Sequence, residues 1–511
     1  MSDWTSGYVA DIEYTFGYYT ELNPLQFRLP FLASGLVPPE VGTCCELGYG
    51  QGMSANLHAA ASDARWYGTD FNPSHAAFAQ AMAAASGADA RLYEQSFAEF
   101  CGRADLPDFD FIGFHGIWSW ISAENRAVIT DFLARKLKPG GVLYVSYNAQ
   151  PGWAAMGPMR DLFFEHNATL SPAGQGAIAR FDAALAFAER LLAVNPGFAI
   201  ANPSVKERVA ALKDKNRNYL VHEYFDRDWH PMSFAQVKSQ LAPAKLSFAC
   251  SSNCLDQVDV LNLTAEQQAL LKEIPDAGFR ETVRDYCVNT QFRRDYWVKG
   301  PRRFSALGQA EALRAHRVVL TRPRADVPLK LTTRVGEATL HEKLYGPVLD
   351  ALASHQPTTL GQIEQAVKGK GIPMAQVVQV ILVLLSGSNV MSAQDDASIA
   401  KARKQTAKLN ALICDMARAN ADVQFLASPV TGGGFPVGRF QQLFLLATAQ
   451  GKKTAAERAQ FVWALLEAQG QRIVKDGKAL ESAADSLADL TAQAQVFADK
   501  QLPILKAVGI A

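Results

Sequence analysis

Glu46-Leu47-Gly48-Tyr49-Gly50-Gln51-Gly52 is the stretch whose residue types and spacing most directly imply chemistry. An acid followed by three alternate glycines calls for a backbone that takes positive φ and lies close to a ligand, and glycine permits both. The apolar, β-tolerant run 42–47 before it and the helix-favouring run 53–60 after it make a strand, a glycine turn and a helix. The spacing departs from the dinucleotide pattern G-x-G-x-x-G, because Gly48, Gly50 and Gly52 are evenly placed and Glu46 precedes them. Such a loop admits an adenosyl ligand without a pyrophosphate to cradle. An ordinary tight strand-helix turn is the other reading of the motif taken alone.

The elements around the loop must hold a site in place. Residues 64–69 form a second strand ending at Asp70, at the spacing where a strand-end acid binds ribose hydroxyls. A carboxylate accepts both hydroxyl protons, whereas capping of the next helix is the bland alternative. A third strand, 90–95, runs into Ser96-Phe97, a small polar and an aromatic residue able to bracket an adenine. A fourth, 109–114, ends at His115-Gly116-Ile117-Trp118-Ser119-Trp120, and a fifth, 141–147, follows the turn Leu137-Lys138-Pro139-Gly140-Gly141. Strands alternating with helices imply right-handed βαβ units and a parallel sheet with its ligand at the carboxyl ends.

In this order the glycine loop, Asp70 and the Lys-Pro-Gly-Gly turn resemble the class I S-adenosylmethionine-dependent methyltransferases over about the first 150 residues. His115 to Trp120, Ser146-Tyr147-Asn148-Ala149-Gln150-Pro151-Gly152-Trp153, His222-Glu223-Tyr224 and Tyr19-Thr20-Glu21-Leu22-Asn23-Pro24 are similar to bacterial methyltransferases with a methyltransferase regulatory domain. That group includes the rickettsial enzymes that methylate lysines of outer membrane protein B. The resemblance implies an α/β chain: a Rossmann-like methyltransferase sheet with a helical insertion, then mostly helical, winged-helix-like and bundle domains. It also implies S-adenosylmethionine as cofactor, with contacts at Glu46, Gly48, Tyr49, Gly50 and Gly52 of the loop. Asp70, Phe71, Ser96, Phe97, His115 and Gly116 complete the expected cofactor set.

The expected division is a cofactor-binding core over 1–151 and a helical insertion over 152–218, whose helices 156–166, 173–194 and 203–216 serve packing or a homodimer. The closing hairpin and regulatory region follow over 219–300, with helix 233–241 and strands 246–250 and 292–298. A winged-helix-like domain is expected over 301–400, with strands 317–321 and 329–333 in one small β element, and a helical domain over 401–511. The segment 374–385, where a recognition helix would stand, is nearly free of charge, which favours protein contact or core over nucleic acid. Thr431-Gly432-Gly433-Gly434 lacks the ending of a phosphate loop and reads as a connector.

Composition narrows the classes. A chain of 511 residues needs several cores, and 49% apolar with 20% charged residues describes a globular protein. Zero formal charge offers no global attraction to nucleic acid or acidic membrane. The start of the chain has no signal-peptide pattern and residues 377–385 are too short an apolar run to span a bilayer, so a cytoplasmic location without membrane insertion is expected. Seven cysteines without a framework suit reduced thiols, and Cys250 and Cys254 lack the partners of a metal site, so no metal is expected.

Methyl transfer to an amine requires alignment, exclusion of water and a neutral nitrogen. An aromatic channel lowers the amine's pKa by desolvation and attracts its cationic forms. Tyr18, Tyr19, Trp118, Trp120, Tyr147 and Trp153 are candidates to line it, with ordinary core packing the alternative for each. Glu223 is the candidate proton acceptor or ammonium anchor, and His115 a cofactor contact or relay. A protein-lysine N-methyltransferase is the leading expectation, beside a small-molecule methyltransferase and a cofactor-binding regulatory protein without transfer.

Overall fold

The structure is a computed structural model describing Ile12 and residues 15–511 apart from Ala173 and Asp476. The opening residues 1–8, read above for a targeting signal, and Ala173, the expected start of the second inserted helix, lie outside the described residues.

Helix α1 (Pro24–Ala33) leads into β1 (Thr43–Leu47), α2 (Met53–Ala61), β2 (Arg65–Asp70), α3 (Pro73–Ser86), β3 (Ala90–Glu94), α4 (Phe97–Cys101), β4 (Phe109–Phe114), α5 (Ala123–Lys136) and β5 (Leu137–Asn148). After the inserted helices come β6 (Leu246–Ser251) and β7 (Phe292–Lys299). These strands form one sheet in the order β3-β2-β1-β4-β5-β7-β6. The first five run parallel, and β7 enters antiparallel between β5 and β6. Every residue of β1 is buried, as expected of a parallel strand covered on both faces. Alternation sorts β5: Val142 and Tyr144 join the core under α1 and α2, while Leu143, Val145 and Tyr147 join the core under α5.

Local chemistry explains the boundaries. Asn23 caps α1 by accepting from Leu25 N at 3.0 Å, with Pro24 at the first position. The Lys-Pro-Gly-Gly turn becomes a bulge at the start of β5, since Phe109 pairs with Leu137 and Phe111 with Val142. Gly140 supplies its positive φ of 82°.

The inserted helices, among them Gly157–Leu170, Ala177–Ala193 and Arg217–Phe225, enclose an apolar cluster of their own around Phe163, Phe181 and Tyr224. Under β7 lies a buried ion network. Arg293 binds Asp285 at 2.8 Å, Asp295 at 2.9 Å and Glu281 at 2.9 Å.

Beyond residue 300 a small sheet joins Arg317–Leu320 to Thr358–Thr359 and Val390–Ser392. The strand expected at 329–333 is not part of it: Lys330–Thr333 pairs instead with Gly336–Thr339, because a two-residue loop makes the next segment its partner. Helix Met374–Ser386 buries Val377, Val380, Ile381 and Leu384 in the core of this domain. The Thr431–Gly434 segment is more than a connector. Gly433 opens a strand, Gly433–Pro436, paired with Phe425–Ser428. The core of the last domain is continuous with Met53 and Leu57 of α2, so this domain rests on the helix that follows the glycine loop. Among the described residues no single helix is long and apolar enough to cross a membrane.

Candidate active site at the carboxyl ends of the strands

Gly48, Gly50 and Gly52 all take left-handed φ, at 68°, 57° and 70°. At Gly48 a Cβ would lie 2.5 Å from Ile117 Cδ1, and at Gly52 it would lie 2.5 Å from Ala79 Cβ. The first glycine is therefore needed by the wall of the site and the third by the packing of α2 on α3. Gly52 offers α2 no capping side chain, and Glu46 substitutes by accepting from Ala55 N. The other oxygen of Glu46 is buried without a hydrogen-bond partner. Burial, seconded by the charge of Asp70, pushes the Glu46 carboxyl well above the usual carboxylate range.

Asp70 lies across the loop. Its Oδ2 accepts from Gly50 N at 2.8 Å, and its Oδ1 accepts from Asn72 N at 3.0 Å and lies 3.3 Å from His75 Nδ1. A carboxylate has about four acceptor positions, so one remains on Oδ2 for a ligand hydroxyl beside these three neighbours. Tyr49 is buried and donates to Tyr93 O at 2.8 Å, which ties the loop to the end of β3. Phe97 stands 3.7 Å from the Cβ position of Gly48, beside Ile117. The Ser96 hydroxyl is engaged in the capping box of α4, donating to Glu99 at 2.7 Å, and Phe71 is half-buried after Asp70.

At the end of β4, His115 is stacked on Tyr19 with centroids 3.7 Å apart and planes at 14°. Its Nδ1 lies 2.8 Å from the Tyr144 hydroxyl, and Gly116 N donates to Ser146 Oγ at 2.7 Å. Burial lowers the pKa of His115 to about 4, so the ring is neutral near neutral pH. Gly116 has φ 65° and nothing within 4 Å of its Cβ position, which leaves open space beside the histidine. On the inserted helix Arg217–Phe225, Tyr219 and Glu223 are hydrogen-bonded one turn apart, and Tyr19 is among the groups that bear on Tyr219. Burial raises Glu223 from 4.5 to about 7, against the opposing pull of the Tyr219 hydrogen bond, Lys215 and Arg160.

Four residues expected at an acceptor channel are held elsewhere. Trp118 is fully buried under α5, stacked on Phe114 at 5.4 Å, with Nε1 donating to Gln240 at 2.8 Å. Tyr147 points to the same buried face of β5, and its hydroxyl donates to Asp295 at 3.0 Å. Trp153 packs edge-on against Trp229 at 5.1 Å in the core of the insertion. Tyr18 points away from Tyr19 along extended backbone and is buried with its hydroxyl 3.0 Å from His58. Sequence reasoning passed over Ile117, Tyr144, Ser146 and Tyr219. Tyr144 and Ser146 are two apart on β5 and Tyr219 is four before Glu223, periodicities that do point to one face. Among the described residues no group of three or more His, Cys, Asp or Glu side chains is arranged to hold a metal ion.

This strand order, with an antiparallel seventh strand beside β5 and a glycine loop after β1, defines a class I methyltransferase fold. Residues 216–299 match the family model of the predicted methyltransferase regulatory domain. Protein sll1526 of Synechocystis is 38% identical over 512 residues, covering 99% of each chain. RP789 of Rickettsia prowazekii is 24% identical over 199 residues, 38% of this chain and 35% of that protein. PKMT2 from Rickettsia typhi, solved in complex with AdoHcy, superimposes with a TM-score of 0.69 over 96% of this chain and 98% of its own, at 14% identity, a likeness of fold. The chain belongs with sll1526 to the proteins that carry the predicted methyltransferase regulatory domain, and its fold is the one on which S-adenosylmethionine-dependent methyltransferases are built.

The residues present fit that cofactor. A buried, unpartnered Glu46 oxygen, a strand-end Asp70 with acceptor capacity to spare, and the open space beside Gly116 form a site for a polar adenosyl ligand. Gly50→Val is expected to lower cofactor affinity about tenfold or more, since left-handed φ costs a side chain about 1–2 kcal/mol and a branched Cβ adds bulk at the loop. Calorimetry with S-adenosylhomocysteine measures it.

Proposed function

We propose that the chain is a protein-lysine N-methyltransferase. The observation that carries this reading is the Tyr219–Glu223 pair, a carboxyl raised to about 7 on an inserted helix electrostatically coupled to Tyr19. Such a group suits an acceptor that arrives as an ammonium and must lose a proton. Glu46, Gly48, Tyr49, Gly50 and Gly52 with Asp70, Phe71, Ser96 and Phe97 are proposed to hold or frame the cofactor, with Asp70 on a ribose hydroxyl. His115 and Gly116 border it. When bound, S-adenosylmethionine supplies a methyl carbon activated by its sulfonium, transferred in line to a neutral nitrogen as the carbon–sulfur bond breaks.

The chain's own residues prepare the acceptor. Tyr19 and neutral His115 offer stacked aromatic faces that exclude water and lower an amine's pKa. Glu223 in its ionised form takes the ammonium proton, and Tyr219 orients it. The large helical domains after residue 300 favour a protein substrate over a small molecule. Leu170, Val194 and Ile200 are exposed on the insertion and suit self-association, which sedimentation tests.

Incubating the protein with methyl-labelled cofactor and cell lysate tests the reading. Label on lysine in protein bands supports it, label only in small molecules replaces it with a small-molecule methyltransferase, and binding without transfer points to a regulatory protein. The pH dependence has a defined sign. Folding favours the protonated form of Glu223, so its stabilising contribution is full below its ordinary value of 4.5 and is lost as pH rises through about 7. Activity moves oppositely, rising through about pH 7 as the carboxylate forms. Glu223→Gln is expected to remove that limb and to lower kcat about 100-fold. An unchanged profile would deny Glu223 the role of base.

A further inference from the structure

We propose that the glycine hairpin of the last domain, Gly433-Gly434, is a positioning element of the methyl-transfer site, acting through the strap of residues 18–23. The proposal rests on the function given above, and it assigns a role to a motif and a domain that the cofactor chemistry does not use.

The strap crosses the carboxyl edge of the sheet and is pinned on both sides. On the β7 side, Glu21 is ion-paired with Arg294, and its carbonyl accepts from the Tyr296 hydroxyl at 2.8 Å. On the other side the last domain holds it. Asn23 Nδ2 donates to Thr431 O at 2.9 Å, across 408 residues of sequence. Tyr18 is buried between His58 of α2 and Phe425, with ring centroids at 5.2 and 4.9 Å. The Tyr18 ring lies directly on the two glycines. A Cβ at Gly433 would stand 2.6 Å from the Tyr18 hydroxyl and 2.8 Å from Asn23 Nδ2, and one at Gly434 would stand 2.8 Å from the ring. These positions therefore exclude any side chain while Tyr18 and Asn23 keep their places. The hairpin is itself anchored to α2, because Gln394 Nε2 donates both to Ala61 O at 2.8 Å and to Pro429 O at 2.7 Å.

Between the two pins sits Tyr19. Its amide donates to Ser54 Oγ at 2.9 Å, and its ring is the one stacked on His115. Extended backbone directs successive side chains to opposite sides, so seating Tyr18 against the hairpin directs Tyr19 over the strand ends. Tyr18 is on this account a positioning residue. The pinning polar contact does not titrate near neutral pH, since burial lowers His58 to about 3 and raises the Tyr18 phenol.

The test uses the full chain with Gly433→Val. Hydrogen exchange of the peptide spanning residues 18–23 is expected to speed up about tenfold or more while the peptides of β1 and β4 keep their protection. S-adenosylhomocysteine affinity is expected to fall about tenfold, with kcat falling in addition. Tyr18→Ala, which leaves the last domain untouched, is expected to reproduce both changes and guards against a hairpin that fails to fold. A strap that stays protected in both variants overturns the proposal. So does a released strap with unaltered affinity and turnover, the outcome of a purely structural contact. If the unsubstituted protein binds no S-adenosylhomocysteine, the proposed function falls, and the exchange measurement alone decides whether the hairpin seats the strap.

Discussion

Asp70→Ala is expected to weaken S-adenosylhomocysteine binding by about one to two orders of magnitude while leaving the sheet intact. A hydrogen bond from a ribose hydroxyl to a carboxylate contributes about 1.5–3 kcal/mol, and about 1.4 kcal/mol is a factor of ten. The substitution also frees Gly50 N and Asn72 N, which the carboxylate accepts at 2.8 and 3.0 Å, so the loop loosens as the ligand contact is lost. The fold survives because Asp70 is at the end of β2, whose register with β1 and β3 is carried by backbone bonds. Asp70→Asn separates the two effects: it keeps one acceptor oxygen for the loop and loses the charge. An affinity in Asp70→Ala equal to that of the unsubstituted protein would remove the ribose role.

Arg293→Ala is expected to be the most damaging single change to stability. The guanidinium is buried among Asp295, Asp285 and Glu281, with Tyr147 donating to Asp295. Burial opposes its charge, yet the surrounding acids outweigh that and raise its pKa. Burial raises Asp285 to about 6 and Asp295 in the same direction, so both need the cation to stay ionised at neutral pH. Removing one partner of a buried ion network costs about 3–5 kcal/mol, because the remaining charges stay desolvated and unpaired. The core transition in urea should move to lower concentration accordingly. Arg293→Ala with Asp295→Asn should recover part of the loss, and strictly additive losses would show that the two groups are not coupled.

The two variants probe parts of the molecule that differ in how far the sequence exposes them. The strand-loop-helix around Glu46 to Gly52 is legible because its demands are local. Three glycines at positive φ and an acid at the strand end are requirements of a few consecutive residues, and Asp70 follows at the next strand end. The closing strands are expected at 246–250 and 292–298 and stand there, although neither the burial of Arg293 nor its three acids on two elements follows from the 292–299 segment alone. The bulge at the start of β5 was read as a turn, since a bulge differs from a turn only in what pairs on either side.

The aromatic residues mark where local reading stops. Tyr18, Tyr19, Trp118, Tyr147 and Trp153 are of one chemical kind, so composition cannot separate them. The structure divides them by the face each backbone presents. Tyr19 stacks on His115, whereas Trp118 and Tyr147 enter the core under α5, Trp153 the insertion and Tyr18 the seam with the last domain. The sequence by itself determined the loop, the acid at the end of β2, the α/β order and the family they imply, because backbone conformation and strand alternation are short-range demands. Only the tertiary structure decided which aromatic rings reach the site, that Glu223 is raised by burial beside Tyr219, and that two glycines more than 400 residues away press on the strap. Those outcomes depend on which side of a strand meets another domain, a choice made by the packing of separate cores against one another and by no short stretch of chain.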